Sequence, residues 1–395
     1  MKRRSALTAL AYALGASAAP VGTHASAASR DGVLAWGPEG CWVGAGSGAL
    51  HRLPDPLTPG VEPAPTGDGL WLVSAGGALR CWEPGAGSSW RLRCSVEFSA
   101  PVLALAASRD GRWVLAAHGE QLSLCDSRGE VVMTFEGTDL TREHRGAATA
   151  LFALPQRRSF VASWPALGEL WEISLDPAAA PIFDGLVHDY RMAEAIPRPG
   201  YLGARRAPLG RPMPAISFAD ARVPWLAGVQ GNEVVVVHMD VRRRIAALRV
   251  DGANPAGATL RAASRARGAV EWWLPAGNEV HVFDTARWVR LAAYTLPGPV
   301  RRLQAVGDDV LALVGERGAA SLFILRDGQA PAWQHVGGVA GSLVALCGDL
   351  RGLRVLALRA DPPALLLLDA GGGVLGSWPL PLDADLRGAA WFPVA

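Results

Sequence analysis

A short pattern recurs along the whole chain: an apolar run, an Asp or another turn residue, a polar reversal, then a second apolar run. The clear copies are Leu122-Ser-Leu-Cys-Asp126, Leu170-Trp-Glu-Ile-Ser-Leu-Asp176, Val234-Val-Val-Val-His-Met-Asp240, Val280-His-Val-Phe-Asp284, Leu322-Phe-Ile-Leu-Arg-Asp327 and Leu365-Leu-Leu-Leu-Asp369. Weaker copies end near Glu83 and near His51. Asp240, Asp284, Asp327 and Asp369 follow one another at intervals of 44, 43 and 42 residues. Spacing of this size is what a four-stranded repeating unit needs. The run before the Asp is apolar at nearly every position, so both of its faces are expected to pack against neighbouring units. The Asp can accept hydrogen bonds from the backbone just ahead of it, which favours a tight reversal. Ser108-Arg-Asp-Gly111 is a second hairpin signal and leads into Arg112-Trp-Val-Leu-Ala-Ala117. Helical periodicity is nearly absent. Eight copies predict an all-β chain, an eight-bladed β-propeller of four-stranded antiparallel blades, forming a single domain over residues 31–395.

Composition agrees. The chain holds 46 Gly and 29 Pro yet is 50% apolar, as expected for many short buried strands joined by tight turns. Its 15 Trp suit the wedge between neighbouring blades. A net charge of +2 argues against nucleic-acid and membrane surfaces. There are five cysteines, Cys41, Cys81, Cys94, Cys125 and Cys347, with no CxxC pair, which disfavours a zinc site. No CxxCH occurs, which excludes c-type haem. One disulfide among Cys41, Cys81, Cys94 and Cys125 is compatible with an exported protein.

Residues 1–30 have the features of an export signal peptide. Lys2, Arg3 and Arg4 precede a small-residue apolar stretch, and Ala25-Ser26-Ala27 is a cleavage-type triplet. Arg3-Arg4-Ser5-Ala6-Leu7 resembles a twin-arginine signal, with Ala where Phe is preferred. The expected location is periplasmic, and no later segment has the character of a membrane span.

One interval is long: Asp176 to Asp240 spans 64 residues. It contains a Pro- and Arg-rich loop insertion at about 181–214, where aromatic, basic and acidic residues occur together. Insertions of this kind emerge at one face of a repeat scaffold and commonly carry function.

The run from Leu170 through Val187-His-Asp-Tyr-Arg-Met192 to Ile196, continuing as Pro199-Gly-Tyr-Leu-Gly-Ala-Arg-Arg206, resembles the cytochrome d1 haem-region propeller family. Val235-Val-Val-His-Met-Asp-Val-Arg-Arg-Arg-Ile-Ala-Ala-Leu248 is similar to a blade hairpin of that family. The family contains the nitrite reductase d1 domain and a propeller of d1-haem biosynthesis. The resemblance implies a tetrapyrrole ligand, heme d1 or a precursor, and a place in nitrite or denitrification metabolism. It also implies two channel histidines, and this chain departs there. Asn254 stands in Gly252-Ala-Asn-Pro255, and Pro297-Gly-Pro-Val-Arg-Arg-Leu-Gln304 contains no His. Asn and Gln cannot donate protons as imidazole does near neutral pH, so nitrite reductase activity is not expected.

On the resemblance, cofactor-binding candidates are His188, Tyr190, Arg191, Tyr201, Arg205, Arg206, Arg301 and Arg302, with His188 as candidate haem-iron ligand. Arginine suits the several carboxylates of a d1-type haem, and tyrosine can stack on its ring. Asp189 would orient the His188 imidazole. His144, in Thr141-Arg-Glu-His-Arg145, sits in a charged loop, while His118, His238 and His281 end or lie within strands. No nucleophile elbow, paired acids, dinucleotide fingerprint or metal cluster is present, so no catalytic residue is assigned. Expected partners are a tetrapyrrole and a periplasmic cytochrome or d1-haem pathway protein. The competing reading is a cofactor-free periplasmic propeller used for protein interaction.

Overall fold

The structure, a computed structural model, describes residues 31–37, 40–45, 50–85, 89–183, 197–210, 215–262, 270–306, 308–315, 321–325, 334–335, 343–349, 352–360, 363–368, 374–380 and 388–393. Regular structure among them is all strand, apart from 3-10 turns at Pro155–Arg157 and Pro255–Gly257. The strands form eight four-stranded antiparallel sheets, each a blade-like unit in which hydrogen-bonded neighbours are consecutive in the chain, one junction aside. At that junction Gly388–Pro393 pairs with Asp31–Gly37, Val33 standing opposite Trp391, so the first sheet is completed by the last strand.

The chain forms two compact units of four sheets each. One is Asp55–Leu248; the other joins the chain up to Pro54 with Arg249–Val394. In the Asp55–Leu248 unit the second sheet contains Ala64–Pro65, Leu70–Val73, Leu79–Pro84 and Trp90–Val96. The third contains Val102–Ala107, Trp113–His118, Gln121–Asp126 and Val131–Glu136. The fourth contains Ala150–Leu154, Ser159–Trp164, Glu169–Ser174 and Ala204–Pro208, and the fifth runs from Ala215–Ala219 to Arg243–Arg249. In the other unit, the sixth, seventh and eighth sheets begin with Thr259–Ala262, Val300–Val306 and Leu343–Asp349. Within each unit, the first strand of one sheet packs beside the first strand of the next.

Burial explains the repeat. In all but the first sheet the apolar run is the third strand. Leu122–Cys125 and Val234–Val237 are buried at every position, whereas the fourth strand Val131–Met133 is exposed. Tryptophans fill the space between sheets. Trp164 and Trp171, 4.5 Å apart, share one cluster with Leu115, Leu122 and Leu124 of the third sheet. Trp273 stacks on Tyr294 and packs against Leu303 and Val310 of the seventh sheet. Each fully buried large side chain contributes roughly 1.5–3 kcal/mol. Trp225, 4% exposed, belongs to the core.

The aspartates act as expected from the sequence. Asp126 Oδ1 accepts from the N–H groups of Arg128 (2.8 Å) and Glu130 (2.9 Å), Asp284 from Ala286, and Asp176 from Ala178. One weak copy is misplaced. His51–Arg52 is the fourth strand of the first sheet, and the third strand is Gly40–Ala45. That hairpin carries no Asp to mark its reversal, so the pattern slips by one strand. No helix among the described residues is long and apolar enough to cross a membrane.

Candidate anion-binding cleft

Within the Asp55–Leu248 unit a cleft of about 550 Å³ opens between the third and fourth sheets. Two strand-to-strand turns and the base of the insertion build it. The first turn is Ser108–Gly111. Ser108 Oγ donates to Asp110 Oδ1 (2.6 Å) and accepts from the Trp113 N–H (3.0 Å), which fixes the loop bearing Arg109 and Arg112. The second is Pro155–Arg158, where Pro starts a 3-10 turn and Arg158 ends it in the left-handed region (φ 49°). A non-glycine residue adopts that conformation at a cost of roughly 1–2 kcal/mol.

The insertion supplies the third wall. Ile182 and Arg198 exchange backbone hydrogen bonds of 2.9 Å in each direction, drawing the two ends of the segment together. Gly200 lies so close to the backbone of Ala179 and Ala180 that a Cβ would meet the Ala180 oxygen at 2.1 Å. Tyr201 follows, 37% exposed, and lines the cleft with Leu175 and Pro177. Trp113 and the fully buried Phe160 are also among its lining residues.

The cations on the rim are Arg109, Arg112 and Arg158. Acidic neighbours hold Arg112 and Arg158 loosely. Arg112 Nε is 3.8 Å from Asp110, with side chains 79% and 59% exposed, and Arg158 Nη1 is 3.2 Å from Asp176, at 65% and 37%. Exposed pairs of this kind contribute about 0–1 kcal/mol, so both guanidiniums can turn to a carboxylate ligand at little cost. A volume of this size is in the range of small-molecule sites. The cleft can bind and orient an anion with an apolar body. Among the described residues no group of three His, Cys, Asp or Glu side chains is arranged to hold a metal.

The residues picked out from the sequence scatter. Tyr201 is in the cleft. His188, Tyr190 and Arg191 lie outside the described residues. Arg205 is on the fourth, outer strand of the fourth sheet and donates to the Ala180 carbonyl (3.0 Å). Arg206, beside it, is committed to the scaffold. Its Nε donates to Glu169 Oε2 (2.8 Å), its Nη2 donates to the Thr138 carbonyl (2.6 Å), and its guanidinium lies 4.5 Å over the Trp171 ring. Trp171 Nε1 donates to the same carboxylate at 2.6 Å. The other unit repeats the device. Arg261 lies 4.6 Å over Trp273, both donate to Glu271 Oε2, and Arg261 also donates to the Asp308 carbonyl.

Arg301 and Arg302 belong to the unit containing Arg249–Val394, where a bulge interrupts the pairing between Val300 and Arg302. Asn254 donates from Nδ2 to the Arg301 carbonyl (3.1 Å). Among the histidines, His144 Nδ1 is 2.6 Å from Asp139 Oδ2. Burial would raise the Asp139 carboxyl, but that contact, two backbone N–H donors and the Thr141 hydroxyl together outweigh it and bring the carboxyl down to about 2. His118 is buried, stacked on Phe98 at 4.2 Å and bonded through Nε2 to Ser123 Oγ; burial lowers its pKa. Arg109, Arg112 and Arg158 were missed in the sequence. Their only trace there is an Arg beside each hairpin turn, which reads equally well as a solvated face.

No family model matches the chain, and no curated protein matches it in sequence. Among solved structures it is similar to "Dihydro-heme d1 dehydrogenase NirN in complex with DHE", at 16% identity and a TM-score of 0.68, over 91% of this chain and 75% of that one. The likeness is one of fold. Weaker similarity is found to BamB from Moraxella catarrhalis, at 12% identity and a TM-score of 0.49, covering 84% and 89% of the two chains. A chain of a mitotic checkpoint complex is similar at 13% identity and a TM-score of 0.46, with 84% and 94% covered.

Proposed function

We propose that the chain is an exported eight-bladed propeller that binds a d1-type haem or a related tetrapyrrole, or helps mature it, without being a nitrite reductase. The observation that carries this reading is the cleft, lined by Arg109, the loosely held Arg112 and Arg158, Tyr201 and Trp113. The fold likeness to NirN supports it, as does the resemblance of the segment from Leu170 to Arg206 to d1-region propellers.

The residues present fit part of such a ligand. Arg109, Arg112 and Arg158 would take its carboxylates by charge-assisted, bidentate bonds, and Tyr201 and Trp113 would lie against its ring. When bound, the group supplies an iron centre and a wide π face; the chain holds and orients it and limits access of water. No imidazole lines the cleft among the described residues. His188, three residues before Arg191 on the insertion, is the proposed iron ligand. Asn254 and Gln304 supply no proton donor of imidazole type, so the role is binding or maturation, in denitrification-type metabolism in the periplasm.

The test is an absorbance titration of the mature chain with d1-type haem, beside His188→Ala. Saturable binding with a changed iron spectrum that the variant loses is the expected result. Saturation unaffected by the variant keeps the ligand and removes His188 from its iron. No binding to the wild-type chain refutes the reading and leaves a cofactor-free interaction propeller.

A further inference from the structure

In the second sheet, Ala64, Trp71, Cys81 and Cys94 stand opposite one another in successive strands, so Cys81 and Cys94 form a direct cross-strand pair. Cα atoms of directly opposed antiparallel residues are about 4.5 or 5.5 Å apart, depending on the type of pair. Both values lie within the roughly 4.4–6.8 Å that a disulfide spans. Both sulfurs are free thiols here. Cys81 is fully buried and Cys94 half-buried.

Three local features single out Cys94. The register shifts between Cys81 and Trp82, which face Cys94 and Leu92, so Arg93 is the bulged residue between them. Its guanidinium lies 5.9 Å over Trp71, a member of the same cross-strand row, and its Nη1 bonds to Asp68 at 2.7 Å. Its Nε and Nη2 are buried with no acceptor, so negative charge on a neighbouring sulfur would be stabilised. Finally, the Cys94 sulfur faces Gly129 in the turn after Asp126. Gly129 has φ 82°, and a Cβ there would meet that sulfur at 3.0 Å. Only glycine suits that turn, and it covers the sulfur with backbone rather than a side chain.

We propose that Cys81 and Cys94 are a redox pair in which Cys94 is the attacking thiol and Cys81 the resolving one, oxidised by thiol–disulfide exchange with a small or protein disulfide. Cys94 as thiolate attacks one sulfur of the incoming disulfide RSSR and forms a mixed disulfide, releasing RS⁻, which takes up a proton. Cys81 then loses its proton and attacks the Cys94 sulfur, releasing the second RSH. The chain loses two protons and two electrons, and RSSR becomes two RSH. Acidity is arranged to match. The hydrogen bond that Cys81 donates, against burial and with help from Arg93, brings Cys94 down to about 7. The same hydrogen bond and burial push Cys81 up. Cys125, in the neighbouring sheet and the same cluster, is pushed up to about 12 by burial and by the charges of Cys94 and Asp126, so it stays a thiol.

The test uses the full mature chain, reduced and then exposed to graded mixtures of oxidised and reduced glutathione. Intact mass and peptide mapping should show loss of two hydrogens and a Cys81–Cys94 link. Before oxidation, iodoacetamide should modify Cys94 at least tenfold faster than Cys41 or Cys125 in the folded wild-type chain, a readout that needs no variant. Cys81→Ser should retain one glutathione on Cys94, and Cys94→Ser should retain none on Cys81. A link from Cys94 to Cys125, equal alkylation of all buried thiols, or a pair left reduced in oxidised glutathione would each overturn the assignment.

Discussion

Replacing Arg206 by Leu isolates the part of the fold that the arginines hold together. Glu169 is 7% exposed and Arg206 14% at their side chains, and they meet at 2.6 Å. In the wild-type chain the Glu169 carboxylate accepts from Arg206 and from Trp171 Nε1. Arg206→Leu leaves one donor to a buried negative charge and frees the Thr138 carbonyl. Removing one partner of a buried pair costs about 3–5 kcal/mol, because the remaining charge is uncompensated. With a urea dependence of about 3 kcal/mol per molar, the unfolding midpoint should fall by roughly 1–2 M. Arg206→Leu combined with Glu169→Leu removes the stranded charge and should recover at least half of that loss. Urea unfolding of both single variants and the double variant measures the coupling. A shift in the single variants below about 0.3 M, as for an exposed pair, would refute the reasoning. So would a double variant no more stable than the singles.

Arg261→Leu in the other unit should behave similarly, since Arg261 is 8% exposed over Trp273 and bonded to Glu271; thermal unfolding of that variant checks it. Trp164→Ala empties a fully buried site and should cost roughly 3–5 kcal/mol in the same assay. His118 and His281 both have their pKa values lowered, by burial in each case, with Glu279 opposing at His281. Below the ordinary histidine value of about 6.5 the unfolded chain therefore binds protons that the folded chain refuses, and stability should fall as the pH drops from there. Stability rising between pH 7 and 5, or an acid slope unchanged in His118→Gln, would contradict this. Asp126, which burial would raise but which the N–H groups of Glu130 and Arg128 and the Arg128 guanidinium together hold low, loses its contribution only in a more acid window.

Much of the architecture could be read from residues alone, because the third strand is buried on both faces in sheets such as those of Leu122–Cys125, Val234–Val237 and Val280–Phe283. Val234-Val-Val-Val237 has to be apolar throughout, and the Asp two or three residues later marks its reversal. The repeat was lost where that chemistry was missing: Gly40–Ala45 has no Asp after it, and the pattern settled on His51 instead. The cleft was less legible. Arg112 and Arg158 are adjacent in space because two turns from different sheets meet, and neither turn differs locally from a solvated one. Arg206 illustrates the reverse difficulty. Its place in a family-like motif pointed to a ligand, while its actual partners, Glu169 and Trp171, lie 37 and 35 residues away on the neighbouring strand.

The central claim is that a carboxylate-bearing tetrapyrrole is held by the cleft arginines, and Arg112→Ala with Arg158→Ala addresses it most directly. Both side chains are mostly exposed, so the double variant should unfold like the wild type. Each lost charge-assisted bond is worth about 1.5–3 kcal/mol, or roughly tenfold or more in affinity. A d1-type haem titration of the folded double variant should therefore show binding at least tenfold weaker than that of the wild-type chain. Affinity equal to that of the wild type would place the ligand elsewhere and contradict the account.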